Sequence, residues 1–469
     1  MFVLLAPNVE KRTAMLMAHE LASFVVNTSY KDMSDQVVNA LKIRVMDSIG
    51  CAIGAIGSPP IKMILSQIDD FESTGHCTLI AAGKASPDRA AFYNSALVRF
   101  LDFNDSFLAS NETCHPSDNL GAVLAATEYA DGDGADFLLA LAVAYQVQCR
   151  LSEVAPVRNR GFDHVTQGAF ALAAGISKAL GLDEARTTNA IGICGTAFNA
   201  LRVTRTGALS NWKGLAYPNA AFCATHGTFL AMRGITGPME VFEGNKGFMD
   251  SISGRFEIEW KHEQLDRVLK TILKRYNAEI HSQSTLEGIL ELKSENGFTA
   301  EDVDRIEIET FDVAYNIIGG GEEGVKTVVR TKEQADHSLH YMIAVAILDD
   351  QVLPPQYADE RILRDDVQGL LTKIDVLPSE AFSRRFPEEM PCRMRIVLKN
   401  GVVLIKEKKD YEGFTSRPMT WEAAATKFHG LSEGRANLAL RTEILQAINQ
   451  LESIRIRDFM RLLSEVRSG

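Results

Sequence analysis

The chain has 469 residues, 46% hydrophobic and 23% charged, an ordinary globular composition with room for two or three domains and a sizeable core. Its formal net charge of −12 argues against nucleic acid or an anionic membrane surface as partners, and an anionic ligand would need a local pocket of cations. Seven scattered cysteines without a CxxC pair fit neither a zinc ribbon nor a ferredoxin-type cluster, although three distant ones would suffice for a cluster; their odd number suits a reducing compartment.

In chain order, the opening MFVLLAP is too short for the apolar core of a signal peptide, with Glu10 and Lys11 close behind. No apolar run reaches the roughly 18 residues of a membrane span, so a cytoplasmic protein is expected, or a mitochondrial matrix protein if the source is eukaryotic. From about residue 13 to 265 the pattern is mostly helical. Residues 133–153 place Phe137, Leu138, Leu141, Val143, Ala144 and Val147 at mainly three- and four-residue spacings and are apolar almost all round, which predicts a buried helix. Residues 165–182 are rich in Ala and Gly, and small side chains let helices approach closely.

The texture changes near residue 270. VDRIEIETFD (303–312) alternates Ile306, Ile308 and Thr310 with Arg305, Glu307 and Glu309, predicting a strand with one buried face. MRIVLKNGVVLIKEKK (394–409) sets Asn400-Gly401 between two apolar runs, the strongest short hairpin signal, and a helix is predicted over 336–350. From Thr420 to Glu465 the pattern is helical again and is expected to pack back on the first domain. The expected fold is mainly α: a large helical part (1–268 and 411–469) with a smaller α+β domain over 269–410.

Four clusters carry the chemistry. RFLDFNDSFLASNETCHPSDN (99–119) concentrates Asp102, Asp105 and His115 in what reads as a loop. A solvated, capped loop is the plain explanation, and two aspartates with a histidine also admit a metal site, although their spacing matches no helical ligand pair. Histidine exchanges protons near neutral pH, and a carboxylate can set its protonation, so proton transfer is the functional reading. NRGFDHVTQGAF (159–170) sets Asp163 and His164 at a helix start, where Asp163 suits an N-cap and the helix dipole keeps His164 neutral. NALRVTRTGALSNWKGLAYPNAA (199–221) supplies Arg202, Arg205 and Lys213, either surface charges or the grip a polycarboxylate needs. LKRYNAEIHSQS (273–284) adds Lys274, Arg275, Glu279 and His281 at the domain boundary, where ligand clefts are frequent. Two segments are set aside. The acids within 131–136 lack the full calcium-loop series and read as a turn before a helix. IIGGGEEG (317–324) lacks the Lys-Ser/Thr of a phosphate loop and reads as a mobile, lid-like stretch.

These clusters, with ADHSLHYMIAVAILD (335–349), resemble the MmgE/PrpD family over nearly the whole chain. The resemblance implies a large all-helical domain, discontinuous in sequence, with the α+β part over 269–410 inserted as a lid domain, a homodimer, and acid/base chemistry on a small tricarboxylate without metal or organic cofactor. By motif it assigns Asp102, His115, His164, Lys213 and Lys274 to catalysis. Ser106, Arg202, Arg205, Glu279 and His281 are expected to bind substrate, with the cations on its carboxylates and the two catalytic histidines sharing proton removal and protonation of a departing hydroxyl. Asp102 would orient a histidine or act as base. Glu279 stands where the decarboxylase branch has a histidine, and Ser106 where that branch has threonine; AEIHSQ and HPSDN favour the dehydratase branch. The expected reaction is loss of water from a 2-methylcitrate-type tricarboxylate. Decarboxylation of cis-aconitate and epimerisation of a related dicarboxylate are the alternatives within the family, and a non-catalytic helical binding protein is the alternative outside it.

Overall fold

Small side chains dictate how the larger domain is built. The computed structural model describes residues 16–71, 75–207 and 209–468. The N-terminal heptapeptide weighed above as a signal-peptide core lies outside the described residues. Asp35–Ala55 (α1) begins behind Ser34, whose hydroxyl accepts from the Val37 amide. Pro87–Phe100 (α2) has proline in its first turn, where a missing amide costs nothing. Leu120–Tyr129 (α3) and Gly134–Val154 (α4) follow. The acids at 131–136 are explained here: Asp133 and Asp136 each accept from the other's amide, at 3.0 and 3.1 Å, forming a capping box. Val165–Ala179 (α5) and Trp212–Met232 (α6) complete the helices around the site.

Glycines let these helices touch. A Cβ on Gly121 of α3 would lie 2.4 Å from the Ser95 amide nitrogen of α2, and one on Gly168 of α5 would lie 2.5 Å from the Tyr217 ring of α6. The resulting core runs from Ala18 to Leu273 and resumes from Met419 to Val466, so Trp421–Ser432 (α9 below) packs against α1.

A second core spans Ala278 to Leu398. Its sheet contains Val303–Thr310 (β3), Ile374–Pro378 (β4), Cys392–Leu398 (β5) and Val403–Lys408 (β6), in the order β4-β3-β5-β6; β1 and β2 are a small hairpin, Phe107–Ala109 and Glu112–Cys114. β3 runs parallel to β4, with Ile306 beside Ile374, and antiparallel to β5, with Ile308 beside Met394. The polar face of β3 and β5 is laced by Glu307–Arg395 and Glu309–Arg393 pairs, while Gln283–Asn296 (α7) and Leu339–Asp349 (α8) cover the apolar face. Asn400-Gly401 does turn a hairpin, with Gly401 at φ +87°.

The mainly helical reading with an α+β part holds. Three local readings change. The stretch 99–119 is not simply a loop but carries the β1–β2 hairpin and a 3₁₀ turn, Pro116–Asn119. β4 is too short to announce itself in an alternating pattern. The helix read over 336–350 begins only after Ser338, whose hydroxyl accepts from the Tyr341 amide at 3.0 Å, so Asp336 and His337 lie in the preceding turn with side chains free for other partners. Among the described residues no single helix is long and apolar enough to cross a membrane. The seven cysteines are free thiols, and burial accounts for the raised position of most.

Gly121→Ala is expected to force α2 and α3 apart and cost about 1–3 kcal/mol, the usual penalty of overpacking. Thermal unfolding followed by circular dichroism measures it; an unchanged melting temperature contradicts the close-approach account.

Candidate active site

The 99–119 stretch forms one wall of a small polar cavity, about 50 Å³, between the two cores. α2 ends at Phe100, and Asp102 turns the chain in the left-handed region at φ +53°, its amide bonded to the Arg99 carbonyl. That turn aims the carboxylate inward, where Arg99 Nη1 (2.5 Å), Lys274 Nζ (2.9 Å) and Lys213 Nζ (3.2 Å) meet it. Burial alone would raise Asp102, but Arg99, Lys274 and Lys213 hold it well below the usual carboxylate range. Such a saturated, strongly acidic group is no base, and it makes no hydrogen bond to a histidine. Its work is to fix three cations.

Ser106 pairs through its backbone with Ile272 in both directions, at 2.9 and 2.8 Å, tying this wall to the segment that carries Lys274. The β1–β2 hairpin then delivers His115. His115 Nδ1 lies 2.8 Å from the Asp105 carbonyl, which only accepts, so Nδ1 carries the proton. In the neutral ring Nε2 therefore keeps its lone pair, and His115 lines the cavity. Burial, reinforced by Arg99, holds the ring well below its ordinary value and so neutral. Ser106, expected to bind substrate, is wholly buried with its hydroxyl 3.0 Å from the same Nδ1; it backs the histidine instead. Asp105 shapes the loop, accepting from the Ser117 amide and the Tyr145 hydroxyl, and Asn119 does likewise through Pro116, Gln148 and Tyr217.

His164 stands 5.4 Å from His115, ring to ring, but the two differ in role. Arg205 Nη2 donates to His164 Nε2 at 3.1 Å, so the acceptor nitrogen is taken and only the Nδ1 proton remains, buried without a partner. Burial brings His164 down to about 3, Asp163 opposing and Arg205 assisting. Asp163 precedes the N-cap position, which is His164 and has no side-chain cap bond; its carboxylate accepts from the Val165 amide and binds Arg205 Nε at 2.8 Å. The two histidines expected to share proton removal and protonation therefore have unlike surroundings: Nε2 of His164 is engaged by Arg205, while Nδ1 of His115 is held by the Asp105 carbonyl.

On the facing wall, Glu279 Oε1 accepts from His281 Nδ1 at 2.7 Å, leaving Nε2 without a protein partner. Burial would raise Glu279, yet His281 brings it down to about 2. Lys274 is fully buried, and burial lowers it while Asp102 pulls the other way. Arg202 Nη2 binds Glu323 Oε1 at 2.6 Å.

Several site residues escaped the sequence reading. Arg99 lines the cavity and bridges Asp102 to Asp118, whose carboxyl burial pushes up to about 7 against the pull of Arg99 and Arg205. Asp336 and His337 reach Lys213 Nζ at 3.0 and 2.9 Å. The available signal was the repeated Asp-His pair before a helix, at 163–164 and again at 336–337. Asp102, Asp336 and His337 have ligand atoms close enough for a metal ion, but those atoms converge on the Lys213 ammonium, which holds the place of a cation. Behind the site Lys427, from α9, donates to the Phe103 and Lys274 carbonyls at 2.7 and 3.0 Å and lies 3.6 Å over the Phe103 ring.

Comparison with known proteins settles the ancestry of this arrangement. Residues 19–261 match the MmgE/PrpD N-terminal domain, and residues 276–453 match the MmgE/PrpD C-terminal domain. The chain belongs to the MmgE/PrpD family. Among its relatives, the 2-methylcitrate dehydratase of Escherichia coli (strain K12) is 26% identical over 81% of each chain. The mitochondrial 2-methylcitrate dehydratase of Yarrowia lipolytica is 25% identical over 86% of this chain and 80% of its own. An alkylcitrate dehydratase of a fungal species is 27% identical over 91% and 89%. The MmgE/PrpD chain described here is an enzyme of the dehydratase type.

A ring held below its ordinary value stabilises the fold fully above the unfolded value of about 6.5, and that stability is lost as pH falls. For His164 the window runs from about 6.5 down to about 3, at about 1.4 kcal/mol per pH unit crossed. His340, lowered to about 4 by burial, adds to the same slope. Urea unfolding between pH 7 and 4 should therefore show steeply falling stability, and His164→Gln should flatten the slope without abolishing it. An identical slope in the variant contradicts the buried neutral ring.

Proposed function

We propose that this enzyme removes water from 2-methylcitrate, or a citrate of the same class with a short alkyl substituent, to give the alkene tricarboxylate. The observation that carries the reading is His115: a neutral imidazole whose Nδ1 is pinned by a carbonyl, so that Nε2 keeps its lone pair, and which lines a cavity with Arg99, Arg158, Arg202, Arg205 and Lys274. A carbon next to a carboxylate is a very weak acid. The site must supply a base and stabilise charge growing on that carboxylate, and preorganised cations in a dry cleft usually make the largest contribution.

His115 Nε2 takes the proton, the C–H electron pair becomes the double bond, and the C–O bond breaks. The departing hydroxyl leaves as water with a proton from Nε2 of protonated His281, which Glu279 holds by Nδ1. His281 suits this step better than His164, whose Nε2 is engaged by Arg205. Between turnovers His115 releases its proton to water and His281 regains one. Lys213 acts from behind, enclosed by Asp102, Asp336 and His337, and keeps Asp102 in place. No step calls for a metal or organic cofactor. With the reading go a homodimer and a cytoplasmic or, in a eukaryote, mitochondrial matrix setting; the name of the Yarrowia relative, a mitochondrial enzyme, goes with a mitochondrial setting.

Protein given 2-methylcitrate should develop the ultraviolet absorbance of a conjugated alkene tricarboxylate, and a strong chelator should leave the rate unchanged. Loss of activity on chelation, restored by iron or zinc, removes the metal-free mechanism. Carbon dioxide release from cis-aconitate, or solvent deuterium exchange without water loss, replaces the dehydratase reading. His115→Gln should lower kcat/KM by about 10²–10⁴, the usual worth of a positioned base, with the circular dichroism spectrum intact. Because burial and Arg99 hold His115 well below 6.5, the acidic limb of kcat/KM belongs below that pH; a limb centred at 6.5 assigns the base elsewhere.

A further inference from the structure

Every cation lining the cavity is already paired with a carboxylate of the chain. Two of those carboxylates are locked: Asp102 by Arg99, Lys213 and Lys274, and Asp163 by Arg205 and the Val165 amide. Asp118, held through one oxygen by Asn104 with the other 3.5 Å from Arg99 Nε, lies behind the lining. Glu323 is different. It comes from the glycine-rich 317–324 stretch of the other core, and only its Oε1 is engaged, by Arg202 Nη2 at 2.6 Å and Arg158 Nη2 at 3.4 Å. Its Oε2 is buried with no partner, although an arginine pair can satisfy both oxygens of a well-seated carboxylate.

The arginines are built in more firmly than their occupant. Glu112, itself buried, accepts from the Val157 and Arg158 amides at 3.0 and 3.1 Å and so fixes the turn that presents Arg158. Around Glu323, Gly320 and Gly324 have positive φ and open space where a Cβ would point, and the nearby Val325 is 74% exposed. Charge points the same way. The cavity lining sets Arg99, Arg158, Arg202, Arg205 and Lys274 against Asp102, Glu112, Glu279 and Glu323, a thin positive excess for a trianion.

We propose that Arg158 and Arg202 form a carboxylate subsite and that Glu323 is its internal occupant, exchanged for one carboxylate of the tricarboxylate when substrate enters. The ligand class rests on the reading above; the subsite itself rests on the arginine pair and its half-engaged carboxylate. An internal competitor lowers apparent affinity in proportion to the fraction of time it holds the site.

The test is calorimetric titration with tricarballylate, propane-1,2,3-tricarboxylate, which has no hydroxyl to lose. Glu323→Gln should tighten Kd about tenfold or more if Glu323 holds the arginines for about nine-tenths of the time. Arg202→Gln should weaken it by a similar factor, and Glu322→Gln, an exposed neighbour, should leave it unchanged. Glu323→Asp, one methylene too short to reach Arg202, should tighten binding as well and serves if the glutamine variant does not fold. Unchanged or weaker binding in a folded Glu323 variant overturns the proposal. Tricarballylate binding in this pattern without turnover of any alkylcitrate sinks the dehydratase reading alone; turnover without the tightening sinks the subsite alone.

Discussion

The structure turns on one buried carboxylate that three cations share. Removing charges from water costs several kcal/mol each, and in a protein interior that cost is met only by close partners with further hydrogen bonds. Asp102 is the centre of an alternating chain that runs Arg99, Asp102, Lys213, Asp336 and Lys332, so opposite charge follows opposite charge from the helical core into the α+β core. No member is neutralised alone. The chain is therefore also a fastening between the two cores, through Lys213 and Asp336, while the Ser106–Ile272 backbone pair and the Lys274 bond to the Asp102 carbonyl brace the wall that carries Asp102.

The same cations set the protonation of the histidines. Arg99 and Lys274 press His115 toward neutrality from one side while burial does so from all sides. The site thus couples two requirements that usually conflict: enough positive charge to hold a polycarboxylate, and a base that stays unprotonated beside it. The neutral His164, spent on orienting Arg205, shows that an imidazole in such surroundings becomes a hydrogen-bonding strut when its acceptor nitrogen meets a guanidinium.

Much of this was legible in the residues. The 3.6-residue period and small side chains of 133–182 give buried helices, the alternation of 303–310 gives a strand, and Asn400-Gly401 gives the hairpin because each signal is local. His115, His164, Lys274, Glu279 and His281 were found because chemistry-bearing residues stood where a loop needs none, and they do line one cavity. What was missed depends on distance. Arg99 reads as the last turn of a helix, and only the fold brings Asp118 behind it. Asp336 and His337 read as helix until the Ser338 cap moves the start by three residues. Ser106 and Lys213 have the residue types of substrate ligands, but whether a polar atom faces a cavity or a neighbour is decided by packing that no spacing encodes.

Lys427 adds an aspect of time. It lies late in the chain, yet its ammonium holds the Phe103 and Lys274 carbonyls that flank the Asp102 cluster. Synthesis proceeds at about 5–20 residues per second and folds N-terminal parts first. A nascent chain can therefore carry His115, Lys213 and His281 for many seconds without a finished floor beneath them. The floor of the site is therefore completed last, when α9 folds back and Lys427 reaches the two carbonyls.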